Sequence, residues 1–230
     1  MISERIAQIQ ANIREICRKN HRDPDEITLV AVTKYTDTEA MAQAIAAGVV
    51  DIGENRVQDA GRKFEILENQ GFVFKRHMIG HLQTNKVKDA VALFDMIQSV
   101  DSWKVAAEVE KRSSQAGKMM EVLVQVNSSG EPQKSGVAPQ ALEELLDRMA
   151  GLEHVRVQGL MTIGPLTEDT DAVARCFERT QVMFNNMGRK FSNHSVIAMQ
   201  HLSMGMTHDY AQALDYGATM LRIGSGIFQS

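Results

Sequence analysis

A lysine closes an apolar run: in "TLVAVTKYTD", Leu29, Val30, Ala31 and Val32 are followed by Thr33 and Lys34. Lysine is rarely buried, so after a β-branched run it reads as the end of a strand that faces either solvent or a ligand. Two glycine-containing loops near the C-terminus offer a complement. "SMGMTHDYAQALDYG" puts Ser203 and Gly205 ahead of a helix that Thr207 is placed to cap, and "RIGSG" puts Gly224, Ser225 and Gly226 in another turn. Glycines let backbone N–H groups approach an anion, while hydroxyls and a helix start add donors, so the pair reads as a phosphate cup. Either loop alone would equally be a conformational turn. A lysine opposite a phosphate cup points to an imine with a phosphorylated aldehyde, given neighbouring charge or desolvation that keeps some amine unprotonated.

Arg222, inside "LRIG", is a charge within an apolar strand and needs a partner. It either closes a salt bridge at a barrel end or faces a heteroaromatic nitrogen, to which a guanidinium can only donate. Pyridoxal 5'-phosphate satisfies the lysine, the cup and the arginine together. A ring so contacted does not become cationic and is a poor electron sink. An aldolase acting on a sugar phosphate would use the same lysine and cup but has no use for such an arginine.

These residues need a scaffold that gathers strand ends. Ile2, Ile6, Ile9, Ile13 and Ile16 recur at helical spacing, with Ser3 available as N-cap, so an amphipathic helix opens the chain. Eight short β-branched runs follow, at residues 28–33, 51–53, 73–80, 94–99, 121–127, 156–164, 196–203 and 220–224. Helical segments such as "DTEAMAQAIAAG" and "APQALEELLDRMAG" separate them. The alternation favours a parallel sheet closed as a single (β/α)8 TIM-type barrel over an open doubly wound sheet, with residues 1–230 as one domain. In a barrel the site lies at the C-terminal strand ends, where Lys34, the "GEN" of Gly53 to Asn55, and both glycine loops fall. "SGIFQS" after the last strand is too short for a full covering helix, and the N-terminal helix is expected to supply that cover.

Composition narrows the partners. The 230 residues are 43% hydrophobic and 23% charged, with a formal net charge of −4 and both signs interspersed. That is globular composition with no electrostatic footprint for nucleic acid or an anionic membrane. The first twenty residues resemble neither a secretory signal nor a membrane span, so the chain is expected to be cytoplasmic. Cys17 and Cys176 each fall in a helical segment and are expected as buried free thiols. His77 and His81 are four apart, but Gly80 and the preceding strand argue against a helical metal pair, and no metal is expected. Lys134, in "GEPQKSGV", is expected on a mobile loop or, alternatively, as a second amine that receives or releases the ligand.

"VAVTKY", "GENRVQ", "HMIGHLQTNK", "KSG", "LMTI", "LSMGMTHDY" and "LRIGSGIF" occur in this order over nearly the whole chain. The set resembles the pyridoxal phosphate homeostasis protein family (YggS/PROSC), whose fold is like the N-terminal barrel of alanine racemase. The resemblance implies that Lys34 carries pyridoxal phosphate as an internal aldimine, that Arg222 faces the pyridine nitrogen, and that Ser203, Gly205, Gly224 and Ser225 hold the phosphate. It also implies that Asn55 lies near the ring hydroxyl and that His77, Ile79 and Met206 line the ring. Ser225 stands where the family commonly has threonine, and "IFQS" ends where many members continue with glycine and a basic residue. The implied role is intracellular vitamin B6 homeostasis without robust turnover, with PLP-accepting apo-enzymes as partners and a monomeric state. An amino-acid racemase is the alternative. It would need a second acid/base on the opposite ring face, which alanine racemases take from an added β domain, and the chain is not expected to have room for one.

Overall fold

The structure, a computed structural model, describes residues 1–229. Its first element, α1 (Ile2–Lys19), buries Ile2, Ile6, Ile9, Ile13 and Cys17 along one stripe, as spacings of three and four require. Met1, not Ser3, is the N-cap, because the helix already begins at Ile2. Arg18 and Lys19 in the last turn complement the helix dipole.

Strands and helices then alternate: β1 (Thr28–Val32), α2 (Thr38–Ala46), β2 (Asp51–Glu54), α3 (Val57–Asn69), β3 (Lys75–Met78), α4 (Val87–Leu93), β4 (Met96–Val100) and α5 (Trp103–Gln115). They continue as β5 (Met120–Gln125), α6 (Leu142–Met149), β6 (Val155–Met161), α7 (Thr170–Lys190), β7 (Ile197–Ser203), α8 (Tyr210–Asp215), β8 (Met220–Ile223) and α9 (Ser225–Phe228). Each strand pairs in parallel with the next, and β8 returns to β1 with Thr28 opposite Met220 and Ala31 opposite Ile223. The barrel is therefore closed and has no free edge. All eight expected strands form. β3 starts at Lys75 rather than Val73; Val73 is exposed, and Phe74 packs edge-on against Phe64 at 5.3 Å. β6 stops at Met161, short of Gly164.

The pairing register of β6 slips on both sides near Gly159, whose φ of +148° only glycine adopts easily. A Cβ there would also collide with the His201 carbonyl oxygen.

The expected cover for the last strand is supplied by α1, which packs against α2, α8 and α9. Asn12 donates to the Tyr210 hydroxyl at 3.0 Å, and Arg22 donates to the Leu214 and Ala218 carbonyls at 2.9 and 2.8 Å. Both cysteines are free and buried. Among the described residues, no helix is long and apolar enough to cross a membrane.

Inside the barrel, Val30, Met96, Leu123, Met161 and Met220 form their own apolar layer. Gln98 and Arg222 come two residues after Met96 and Met220, so the pleat turns them inward as well, nearer the C-terminal mouth.

Candidate functional site

The C-terminal mouth holds a cavity of about 480 Å³. It is lined by Lys34 and Tyr35 after β1, Asn55 after β2, Ile79 after β3, Met206 and Thr207 after β7, Arg222 on β8, and Gly224 and Ser225 after it. Seven of the residues singled out in the sequence thus share one space: Lys34, Asn55, Ile79, Met206, Arg222, Gly224 and Ser225.

Lys34 reaches the cavity from an exposed turn, with its Nζ 5.1 Å from the Tyr35 ring centroid. The turn is anchored beneath it. The Thr33 amide donates to the Gly53 carbonyl at 3.0 Å, and its hydroxyl donates to Glu54 Oε1 at 2.6 Å. Lys63 Nζ, from α3, donates to the Thr33 carbonyl at 2.7 Å and to the same Glu54 oxygen at 2.8 Å. Glu54 is 1% exposed, so this charge pair clamps the peptide preceding Lys34 in a dry environment. Neither Glu54 nor Lys63 stands out in the sequence as a site residue. The one signal is a glutamate between Gly53 and Asn55, where a strand end should be apolar.

Asn55 is held by close backbone approach: a Cβ on Gly80 would lie 2.7 Å from the Asn55 Cα. Ile79 packs where Gly53 has no side chain, since a Cβ there would meet Ile79 Cδ1 at 2.9 Å.

Arg222 is 4% exposed. Its Nη1 donates to Ser203 Oγ at 2.6 Å and its Nη2 to the Thr162 carbonyl at 2.7 Å. Of the two alternatives, a salt bridge at the barrel end is not what holds it; both partners are neutral. Burial lowers its affinity for the proton to a pKa of about 10, with Asp209 acting in the opposite direction, so it stays cationic at neutral pH.

Three expected ligand contacts fall elsewhere. Ser203 is fully buried behind Arg222, accepting from the guanidinium and donating to Gln98 Oε1 at 2.7 Å, so its hydroxyl is spent inside the barrel. Gly205 does not line the cavity; its φ of +94° and its carbonyl, which accepts from the Arg222 amide at 2.9 Å, shape the loop instead. His77 is fully buried in the barrel interior, between Asp51 at 2.8 Å and Gln98 at 3.1 Å, and does not reach the cavity. Ser203 and His77 lie on β7 and β3, where strand alternation turns their side chains to the interior.

Thr207, in the same loop as Gly205, does line the cavity. It does not cap α8, whose N-cap is Asp209. Its Oγ1 accepts from Ser225 Oγ at 3.0 Å and from the Gly226 amide at 3.1 Å, leaving its own hydrogen for the cavity it lines. Thr207, Gly224 and Ser225 thus line one side of the cavity together.

A smaller hollow of about 190 Å³ adjoins the first and shares Asn55, Ile79 and Ile163 with it. Lys134 lines it but is pinned, donating to the Gly164 carbonyl at 2.7 Å and paired with Glu131. His81 is exposed near Ser135 and diverges from His77. Among the described residues, no group of three or more His, Cys, Asp or Glu side chains is arranged to hold a metal.

A closed barrel whose first strand ends in a cavity lysine and whose last strand carries a buried arginine facing the same cavity is a barrel of the alanine racemase N-terminal class. The family described as alanine racemase, N-terminal domain, matches residues 5–230. Alanine racemase of Clostridium difficile shares the fold, with a TM-score of 0.68 at 13% identity over 95% of this chain and 54% of its own. Closer relatives refine the class. The pyridoxal phosphate homeostasis protein of Aquifex aeolicus is 35% identical over 98% of this chain and 96% of its own. PipY of Synechococcus elongatus, solved with PLP bound, is 31% identical with a TM-score of 0.86, covering 99% of this chain and 100% of that one. The chain belongs to the pyridoxal phosphate homeostasis protein family.

Proposed function

We propose that this protein binds pyridoxal 5'-phosphate on Lys34 and serves intracellular vitamin B6 homeostasis without robust turnover of amino acids. The observation that carries the reading is the shared cavity of Lys34 and Arg222, an amine and a buried guanidinium whose protein contacts are neutral.

The donor set fits the group. Bound there, pyridoxal phosphate supplies an aldehyde that condenses reversibly with a primary amine, releasing water. Lys34 Nζ is the amine available for it, and the Glu54–Lys63 clamp fixes the peptide that carries it. Thr207 would offer the phosphate a hydroxyl donor, and the Gly224–Ser225 turn would offer backbone donors. Asn55, Ile79 and Met206, which follow β2, β3 and β7, line the same cavity and would hold the ring. Arg222 only donates, so beside the ring nitrogen it would keep that atom unprotonated and the ring a weak sink for electrons.

Storage is favoured over racemisation by the same lining. Racemisation takes a proton from one ring face and returns it on the other. Tyr35, the tyrosine of the cavity wall, follows Lys34 on the same turn and is 86% exposed, so it does not face the lysine across the cavity. The exposed rim formed by Tyr35 and Met206 suits transfer of cofactor to PLP-accepting apo-enzymes, in the cytoplasm and from a monomer.

Purified protein incubated with pyridoxal phosphate should become yellow, and borohydride should fix the label on Lys34 as read by peptide mass. Lys34→Ala should lose both signals. Colourless protein that instead traps a ketose phosphate would defeat the reading, and racemisation of alanine by loaded protein would replace storage with catalysis.

A further inference from the structure

Behind Arg222 runs an unbroken line of hydrogen bonds through the barrel interior, on groups that the cofactor reading leaves without a role. Arg222 Nη1 meets Ser203 Oγ at 2.6 Å, Ser203 Oγ meets Gln98 Oε1 at 2.7 Å, Gln98 Nε2 meets His77 Nδ1 at 3.1 Å, and His77 Nε2 meets Asp51 Oδ1 at 2.8 Å. Ser203, Gln98 and His77 are each at most 1% exposed, and the four linked strands are β2, β3, β4 and β7, with β8 at the head.

The two ends dictate the middle. A guanidinium has only donors, so Ser203 Oγ accepts from it and turns its own hydrogen to Gln98 Oε1. The Gln98 amide therefore presents its nitrogen to His77, whose Nδ1 must accept. That leaves the imidazole proton on Nε2, where a carboxylate that only accepts is waiting at Asp51. Every donor in the line points away from Arg222 and toward Asp51, and a neutral His77 satisfies every link. Reversing any one group would set two donors or two acceptors against each other in a dry interior.

We propose that Gln98 is the positioning residue for Arg222, joining it through Ser203 to the His77–Asp51 pair so that the guanidinium is held with one face turned to the ligand cavity. The line gives the buried cation a distant counter-charge without placing a carboxylate where it would compete with the ligand. It explains why the interior layer nearest the mouth is polar while Val30, Met96, Leu123 and Met220 beside it are apolar. The inference rests on the reading of the cavity as a pyridoxal phosphate site.

The first test needs no ligand. Long-range proton–nitrogen correlation spectra of the apo-protein at neutral pH should show His77 neutral with its proton on Nε2; the Nδ1–H form or an imidazolium would overturn the proposal. The second uses Gln98→Met and Ser203→Ala with Lys34 intact. Each should still be labelled at Lys34 by borohydride, with the absorption maximum of the bound chromophore shifted and pyridoxal phosphate binding weakened at least tenfold. The double variant should be no worse than the weaker single, because both cut one line. Unchanged spectra, or losses that multiply in the double variant, would overturn the proposal. Wild-type protein that fails to bind pyridoxal phosphate would defeat the cofactor reading instead, with the apo spectra still deciding the hydrogen-bond line.

Discussion

Lys34 and Ser203 show how far a residue type carries an argument. Lysine after an apolar run pointed to a strand-end amine, and Lys34 lines the cavity. Serine in a glycine loop pointed equally well to phosphate, yet Ser203 faces the interior and Thr207 faces the cavity. The difference is a matter of parity at the strand end, which spacing alone does not resolve. His201 gives a prediction at this scale. Burial, and then the charge of Lys75, lower its affinity for a proton below the ordinary histidine value. The unfolded chain binds that proton more readily, so the contribution of His201 is fully present above about pH 6.5 and is lost as pH falls through the lower folded value. Thermal midpoints measured from pH 8 to 5 should fall on the acid side, and His201→Gln should flatten that fall.

At the scale of elements, the βα units are held to one another by polar ties at the strand ends as much as by the core. Glu54 and Lys63 join β1, β2 and α3, with the acid 1% and the lysine 19% exposed. Lys63→Met leaves an uncompensated buried carboxylate and should cost about 3–5 kcal/mol, while Glu54→Gln added to it should recover part of the loss. Chemical denaturation reads both, and a Lys63→Met protein as stable as wild type would show that the pair is not a clamp. The loop after β7 has a different constraint. Gly205 has φ of +94°, and a Cβ there would lie 2.6 Å from the Ala213 Cβ. Gly205→Ala should therefore destabilise by about 1–3 kcal/mol and displace the Arg222 backbone it binds, weakening ligand affinity alongside stability. Helical periodicity made α1 legible, whereas the caps at Met1 and Asp209 were not, because caps are decided by where the chain turns.

For the whole molecule, α1 covers the place where the barrel closes, between α2 and α8, with the short α9 at one end. Ile6, 1% exposed on its inner stripe, makes this cover part of the core rather than an appendage. Ile6→Ala should cost about 2–5 kcal/mol, with a single urea transition and an unchanged slope. A separate early transition would instead mark α1 as an independent unit. The eight strands, their order and the isoleucine stripe were written in the sequence, because periods of two and 3.6 residues leave a direct imprint on the order of apolar residues. So were Lys34 and Arg222, since a charge in an apolar strand has few uses. What only the tertiary structure decided was which polar groups meet: Thr207 with Ser225, Lys63 with Glu54, and the line from Arg222 to Asp51. Those partners lie on different strands and turns, and hydrogen bonding is directional over about 3 Å, so closure of the barrel and the register of its strands choose them.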